Sequence, residues 1–139
     1  MTDEQIILVK KSWKLFRDID HILVGDTFYS KLFAENPALR KMFPQDMKTQ
    51  YAKLIDMLST IVARLDHLDD LTDEIAALAR RHVQYGVRPA HYRLVGNALL
   101  WTLQQGLGND WTEEVKEAWT KCYNILADTM IAASSSQHI

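Results

Sequence analysis

Cysteine occurs once, at Cys122, so an internal disulfide framework is excluded. No block of like charge runs along the chain and the formal net charge is only −2, so the electrostatic footprint of a nucleic-acid binder is missing. No apolar run approaches the roughly 20 residues that span a bilayer. The opening Met1-Thr2-Asp3-Glu4-Gln5 lacks the basic and apolar regions of a signal peptide. Together these absences predict a reduced, cytoplasmic protein that takes neither nucleic acid nor a membrane as partner. No Gly-x-Gly-x-x-Gly or P-loop offers a cradle for phosphate, and no Gly-x-Ser-x-Gly marks a hydrolase elbow.

What is present is the composition of an ordinary globular chain. Its 139 residues are 47% hydrophobic and 24% charged, enough to bury one core. Helical periodicity dominates. Thr2 and Gln5 form a capping box that opens a helix to about Ile19, with Ile6, Val9, Trp13, Leu15 and Phe16 as its apolar positions. A second helix is expected from Asp20 to Ala34, with Gly25, Phe28, Tyr29, Leu32 and Phe33 on one face. Asn36-Pro37 opens a short third helix that ends near Met42-Phe43-Pro44. Residues 46–66 read as a long helix striped by Leu54, Met57, Leu58, Ile61, Val62 and Leu65. Leu68-Asp69-Asp70-Leu71 reads as a loop, after which Thr72 caps a helix bearing Ile75, Leu78, Ala79 and His82 on one face. Gly86 and Pro89 punctuate the next turn. Two further helices follow, Pro89 to Gly106 and Thr112 to Ala133. The polar stretch 134–139 is expected as a frayed tail, leaving one all-α domain over 1–133.

Three polar side chains fall where this period calls for apolar ones. His82 comes four residues after Leu78 and seven after Ile75. Gln50 comes four before Leu54 and seven before Met57. Tyr29 lies on the inward face of the second helix. A buried polar group without a partner costs about 1–3 kcal/mol, so each needs one. A satisfied core residue is one reading of each. His82 has no His, Cys or Glu at ligand spacing beside it, so zinc is poorly supported. A single axial histidine is sufficient for a haem, because the porphyrin supplies the remaining nitrogens. His21, His67, His91 and His138 lie near helix ends or in the tail and read as solvent-facing.

Four segments, in order and at matching separation, carry a resemblance that covers Ser12 to Met130. They are Phe28-Tyr29-Ser30-Lys31-Leu32-Phe33 with Asn36-Pro37 and Met42-Phe43-Pro44; Gln50 to Leu54; Arg81-His82-Val83-Gln84-Tyr85-Gly86-Val87 with His91-Tyr92 and Leu94-Val95-Gly96; and Ala118-Trp119-Thr120-Lys121-Cys122-Tyr123. The chain resembles the globin family, and within it the globin domain of bacterial flavohaemoglobins and their single-domain relatives. That resemblance implies an all-α, three-over-three globin fold sandwiching a b-type haem. With no Cys-x-x-Cys-His, the haem would be held non-covalently. It implies His82 as iron ligand, and Tyr29 and Gln50 as distal donors. Phe43, Leu54, Leu78 and Val87 would contact the ring, Lys53 a propionate, and Tyr92 would hydrogen-bond the region of the proximal histidine. Where flavohaemoglobins carry a glutamate on the last helix, this chain has Ser134, which weakens the expected proximal push.

The implied function is reversible, high-affinity oxygen binding for transport, storage or scavenging, with nitric oxide and carbon monoxide as further ligands. The alternative is nitric oxide dioxygenation, an enzymatic role that needs a separate reductase. A gas sensor and a haem-free helical interaction domain are the other classes. A sensor's output domain has no place in these residues. A Soret band near about 400 nm would eliminate the haem-free class.

Overall fold

The computed structural model describes residues 1–135, and its regular elements are helical throughout. α1 (Asp3–Phe16) is followed by α2 (His21–Glu35) and a 3-10 helix over Pro37–Met42. α3 (Lys48–Ala63) leads through a second 3-10 helix, Leu65–Leu71, into α4 (Thr72–Gln84). α5 (Pro89–Leu107), a 3-10 turn at Gly108–Asp110 and α6 (Glu113–Ser135) complete the chain.

Local chemistry sets the helix starts. The Thr2 hydroxyl accepts from the Gln5 N–H at 3.1 Å while the Gln5 side chain accepts from the Thr2 N–H at 3.0 Å, the expected capping box. The Asp20 carboxylate caps α2 by accepting from the Ile22 N–H. Pro37 and Pro89 each stand at a first helical position, where their missing N–H costs nothing. His91 is not free in solvent: its Nδ1 accepts from the Arg88 N–H at 3.0 Å and steadies the start of α5. His21 and His67 are exposed as expected, and His138 lies outside the described residues.

Several boundaries differ from the periodicity. α1 stops at Phe16, and Leu15 is 56% exposed rather than part of its apolar face. α3 is shorter than 46–66 at both ends. The expected Leu68–Leu71 loop is helical, and Leu71 is buried, so the chain passes directly from 3-10 to α geometry. Thr72 therefore sits inside the helix start, where its hydroxyl donates to the Asp69 carbonyl instead of capping. α6 continues two residues past Ala133, and the remainder of the expected tail, 136–139, lies outside the described residues.

The helices pack as two layers. α1 lies on α6, α4 on α6, and α2 on both α3 and α5. Two apolar clusters fill the interior, one centred on Phe16, Phe28, Leu32 and Trp119, the other on Ile75, Ala79, Tyr92 and Met130. Full burial of a side chain such as Phe16 or Leu32 stabilises by about 1.5–3 kcal/mol. The buried Ser12 hydroxyl ties the layers: it accepts from Trp119 Nε1 at 2.8 Å and donates to the Leu8 carbonyl at 2.7 Å. α3 and α4, by contrast, make no extensive contact with each other. These are the two helices that carry Gln50 and His82.

Candidate functional site

α4 places His82 on its inner face, half-buried, one turn after Leu78. The Nδ1 atom lies 2.7 Å from the Leu78 carbonyl oxygen. A carbonyl can only accept, so Nδ1 carries the proton and Nε2 presents its lone pair. Burial lowers the imidazole's affinity for a proton, the Leu78 bond works against this, and the Arg81 charge lowers it further. The result is a neutral imidazole oriented by a carbonyl, with one free nitrogen. Among the described residues no group of three or more His, Cys, Asp or Glu is arranged to hold a bare metal ion. A lone, half-buried nitrogen donor fits a haem, which brings its other ligands with it.

Tyr92 on α5 lies parallel to the His82 ring, with centroids 6.4 Å apart. Its hydroxyl lies beside Ser134 on α6, whose influence lowers the Tyr92 pKa while burial, the larger effect, raises it. The Ser134 hydroxyl donates to the Met130 carbonyl at 2.8 Å. Tyr123 donates to the Tyr92 carbonyl at 2.6 Å, fixing the backbone behind the imidazole. A cavity of about 310 Å³ remains here, bordered by Val87, Tyr92, Ile131 and Ser134. Leu78 and Val87 are half-buried against the same apolar cluster.

The opposite side is built by α2, the first 3-10 helix and α3. Tyr29 is 5% exposed and surrounded by rings. Phe28 and Phe43 meet it edge-on at 4.8 and 5.5 Å, Phe33 is tilted at 5.9 Å, and Tyr51 stacks on it at 5.6 Å. The Gln50 side chain, from the first turn of α3, lies beside the Tyr29 hydroxyl. Burial pushes the Tyr29 pKa up to about 12, with the Gln50 amide lowering it and Tyr51 raising it. At neutral pH the hydroxyl therefore keeps its proton and remains a donor. Leu54 is buried, Phe43 is half-buried, and Lys53 is exposed.

The structure thus brings Tyr29 beside Gln50 and His82 beside Tyr92. Tyr51 escaped the sequence reading. Its spacing to Leu54 and Ile55 marks an inward position, but its partner, 22 residues away on α2, has no local signature. The missing Cβ of Gly25 gives the Tyr51 ring its place: a methyl group there would lie 2.3 Å from Tyr51 Cγ.

The globin family's sequence profile matches residues 26–130, three-quarters of the chain. The chain belongs to the globin family. A flavohaemoprotein of Vibrio cholerae is 31% identical over 134 residues, which cover 94% of this globin and 34% of that protein. This globin therefore spans about a third of the length of that relative. A globin-like protein of Aquifex aeolicus is 30% identical and is matched over 92% of its own length. An engineered carbene transferase built on a candidate nitric oxide dioxygenase of Rhodothermus marinus superposes with a TM-score of 0.88 at 25% identity, covering 99% of this chain and 96% of that one. The all-α globin fold expected from the sequence is the fold observed, and it is that of a bacterial globin resembling the flavohaemoglobin globin domain. The family supports a haem protein that binds gases. Among the described residues no helix is long and apolar enough to cross a membrane.

Proposed function

We propose that this globin holds haem b non-covalently on His82 Nε2 and binds oxygen reversibly and tightly under the Tyr29–Gln50 pair. Bound haem supplies the ferrous iron at which a diatomic gas is taken up. The observation that carries the reading is the convergence of two donors from different helices, Tyr29 from α2 and Gln50 from α3, in a water-poor box of aromatic rings. Donors held in place favour a gas that gains negative charge on binding, and oxygen gains more than carbon monoxide. If each donor contributes about 1–2 kcal/mol, oxygen release slows roughly ten- to a thousandfold.

The remaining residues take supporting parts. Phe43, Leu54, Leu78 and Val87 flank the ring and exclude water. Lys53, exposed at the mouth, pairs with a propionate. Tyr92 buttresses the imidazole. The Leu78 carbonyl is a weaker acceptor than a carboxylate, so His82 stays a moderate electron donor, and Ser134 adds no negative charge behind it. These features favour oxygen holding or scavenging over peroxidase-like chemistry. A second reading, nitric oxide dioxygenation with electrons from a separate reductase, is favoured by the likeness to the Rhodothermus marinus protein. The rate of re-reduction by a reductase separates the two.

Oxygen dissociation from the ferrous protein tests the proposal, in wild type, Tyr29→Phe and Gln50→Ala. Slow release that accelerates at least about tenfold in Tyr29→Phe is the expected result. Release that is fast in wild type and unaltered by either substitution would remove the two-donor pocket.

A further inference from the structure

Charge is distributed unevenly along this chain. From Ile75 to Asn109 there are four arginines, Arg80, Arg81, Arg88 and Arg93, and no aspartate or glutamate; all 18 acidic residues lie elsewhere. The stretch contains most of α4 and the whole of α5. All four arginines are exposed, and among the described residues none enters an ion pair. Arg81 and Tyr85 lie one turn apart on the same flank of α4, and Arg88 follows at the corner between the helices. Arg93 stands one turn into α5, and Arg80 on the outer flank of α4. Tyr85 is 60% exposed and lies four residues after Arg81 and three before Arg88. The Pro37–Met42 helix reaches the same corner, with the Met42 methyl 4.0 Å from the position of a Cβ on Gly86. It brings the exposed Lys41 into the neighbourhood. The segments packed against α4 and α5 do carry carboxylates, Asp26 and Glu35 on α2, Asp66, Asp69 and Asp70 before α4, and Glu113, Glu114, Glu117 and Asp128 on α6, but among the described residues none is ion-paired with these arginines.

Arginine and tyrosine are the residues most enriched where proteins dock. Arginines outside any ion pair attract an acidic surface and repel a basic one. The stretch Ile75 to Asn109 carries four positive charges and no negative one, whereas the rest of the chain, with 12 Lys and Arg against 18 Asp and Glu, is net negative. A duplex or an anionic bilayer extends well beyond such a patch and would meet that negative surface, whereas a small acidic protein need not. The patch also adjoins His82, which follows Arg81 directly.

We infer that the α4–α5 corner is the docking surface for an acidic electron-donor protein, steered by Arg81, Arg88 and Arg93 and anchored on Tyr85. The destination of the electron rests on the haem reading above; the docking itself does not. In the complex, one electron leaves the donor's reduced flavin or iron–sulfur centre, which is oxidised by one electron, and reduces the ferric iron on His82 to ferrous.

The test uses a flavodoxin, a small acidic FMN protein, as probe. Its binding to the full chain is measured by calorimetry at low and high ionic strength, and its reduction of the ferric holoprotein by stopped flow. Arg81→Glu/Arg88→Glu/Arg93→Glu should weaken binding and slow reduction at least about tenfold, and added salt should do the same to wild type. Reduction by photoreduced neutral lumiflavin should change less than about twofold. Tyr85→Ala should speed dissociation without removing the salt dependence. Binding or reduction by flavodoxin that ignores both salt and charge reversal overturns the inference. So does arginine-dependent binding of phosphatidylglycerol vesicles or duplex DNA when flavodoxin is not bound. Should the triple variant fail to fold, Arg81→Gln/Arg88→Gln and the salt series on wild type decide in the same way. A chain without a Soret band but with salt-sensitive flavodoxin binding would overturn the haem reading and leave the docking surface standing.

Discussion

Tyr29 sits in a box of rings supplied by α2, the first 3-10 helix and α3, whereas His82 leans on a carbonyl of its own helix. The α2–α3 side is held by tertiary packing: its donor pair exists only because two distant segments meet. The α4 side is held locally: a bond from residue i to i−4 orients the imidazole whatever α3 does. α4 also rests mainly on α6 and the preceding 3-10 helix, with a cavity of about 310 Å³ beside Tyr92. One side depends on residues remote in sequence, the other on a bond within a single helix turn.

The largest test of that contrast is His82→Ala. Loss of the sole axial nitrogen should cost haem affinity more than the ~10–100-fold typical of a supporting partner, read as haem transfer to an acceptor protein. The Tyr29–Gln50 side should remain folded in this variant. Retention of wild-type haem affinity would mean that another residue is the ligand.

The two sides should also respond differently to glycine substitution. Gly25→Ala drives a methyl group into Tyr51, and overpacking of this kind costs about 1–3 kcal/mol, read as a lowered denaturation midpoint. Oxygen release should accelerate as Tyr51 is pushed off Tyr29. Gly86→Ala meets no close atom, but φ is +89° there, so backbone strain of about 1–2 kcal/mol is expected with oxygen release unchanged. Equal effects of both on oxygen release would erase the distinction.

Alkaline titration sharpens it further. Tyr29 has an ordinary pKa of 10.0 raised to about 12 in the folded protein. The fold therefore holds this proton more tightly than the unfolded chain. Its contribution to stability is complete below pH 10 and is lost as pH rises through 12. Tyr29→Phe should flatten that part of the stability–pH curve. An absorbance titration showing Tyr29 ionised near pH 10 would contradict the buried donor.

The smallest effect belongs to Ser134→Ala. It removes a hydroxyl that stands beside Tyr92 and donates to the Met130 carbonyl, a loss of about 1 kcal/mol or less, since the adjoining cavity gives water room to replace it. A large fall in stability would show the proximal side to be as tightly built as the distal one.

Most of the helices were legible because their causes are local. The Thr2–Gln5 box, the Asn36-Pro37 start and the stripe from Leu54 to Leu65 depend on residues a turn apart. Leu15 and the Leu68–Leu71 segment were misread for the opposite reason. Leu15 has the right chemistry but lies one step off the face that α6 covers, and Leu71 is drawn into helix by burial rather than by propensity. His82 stood out as a polar residue in an apolar stripe. Tyr51, and the seat that Gly25 makes for it, carried no such mark.

The sequence by itself therefore determined the all-α architecture and the inward positions of Tyr29, Gln50 and His82, because side-chain direction follows from a period of 3.6 residues. Only the tertiary structure decided which of these meet. Tyr29 reaches Gln50 because α2 packs on α3, and Tyr92 reaches Ser134 because α5 packs on α6. His82 turns Nδ1 to the Leu78 carbonyl of its own helix, which leaves Nε2 as the nitrogen able to ligate. Periodicity is a property of one helix, and a site shared between helices is a property of their packing.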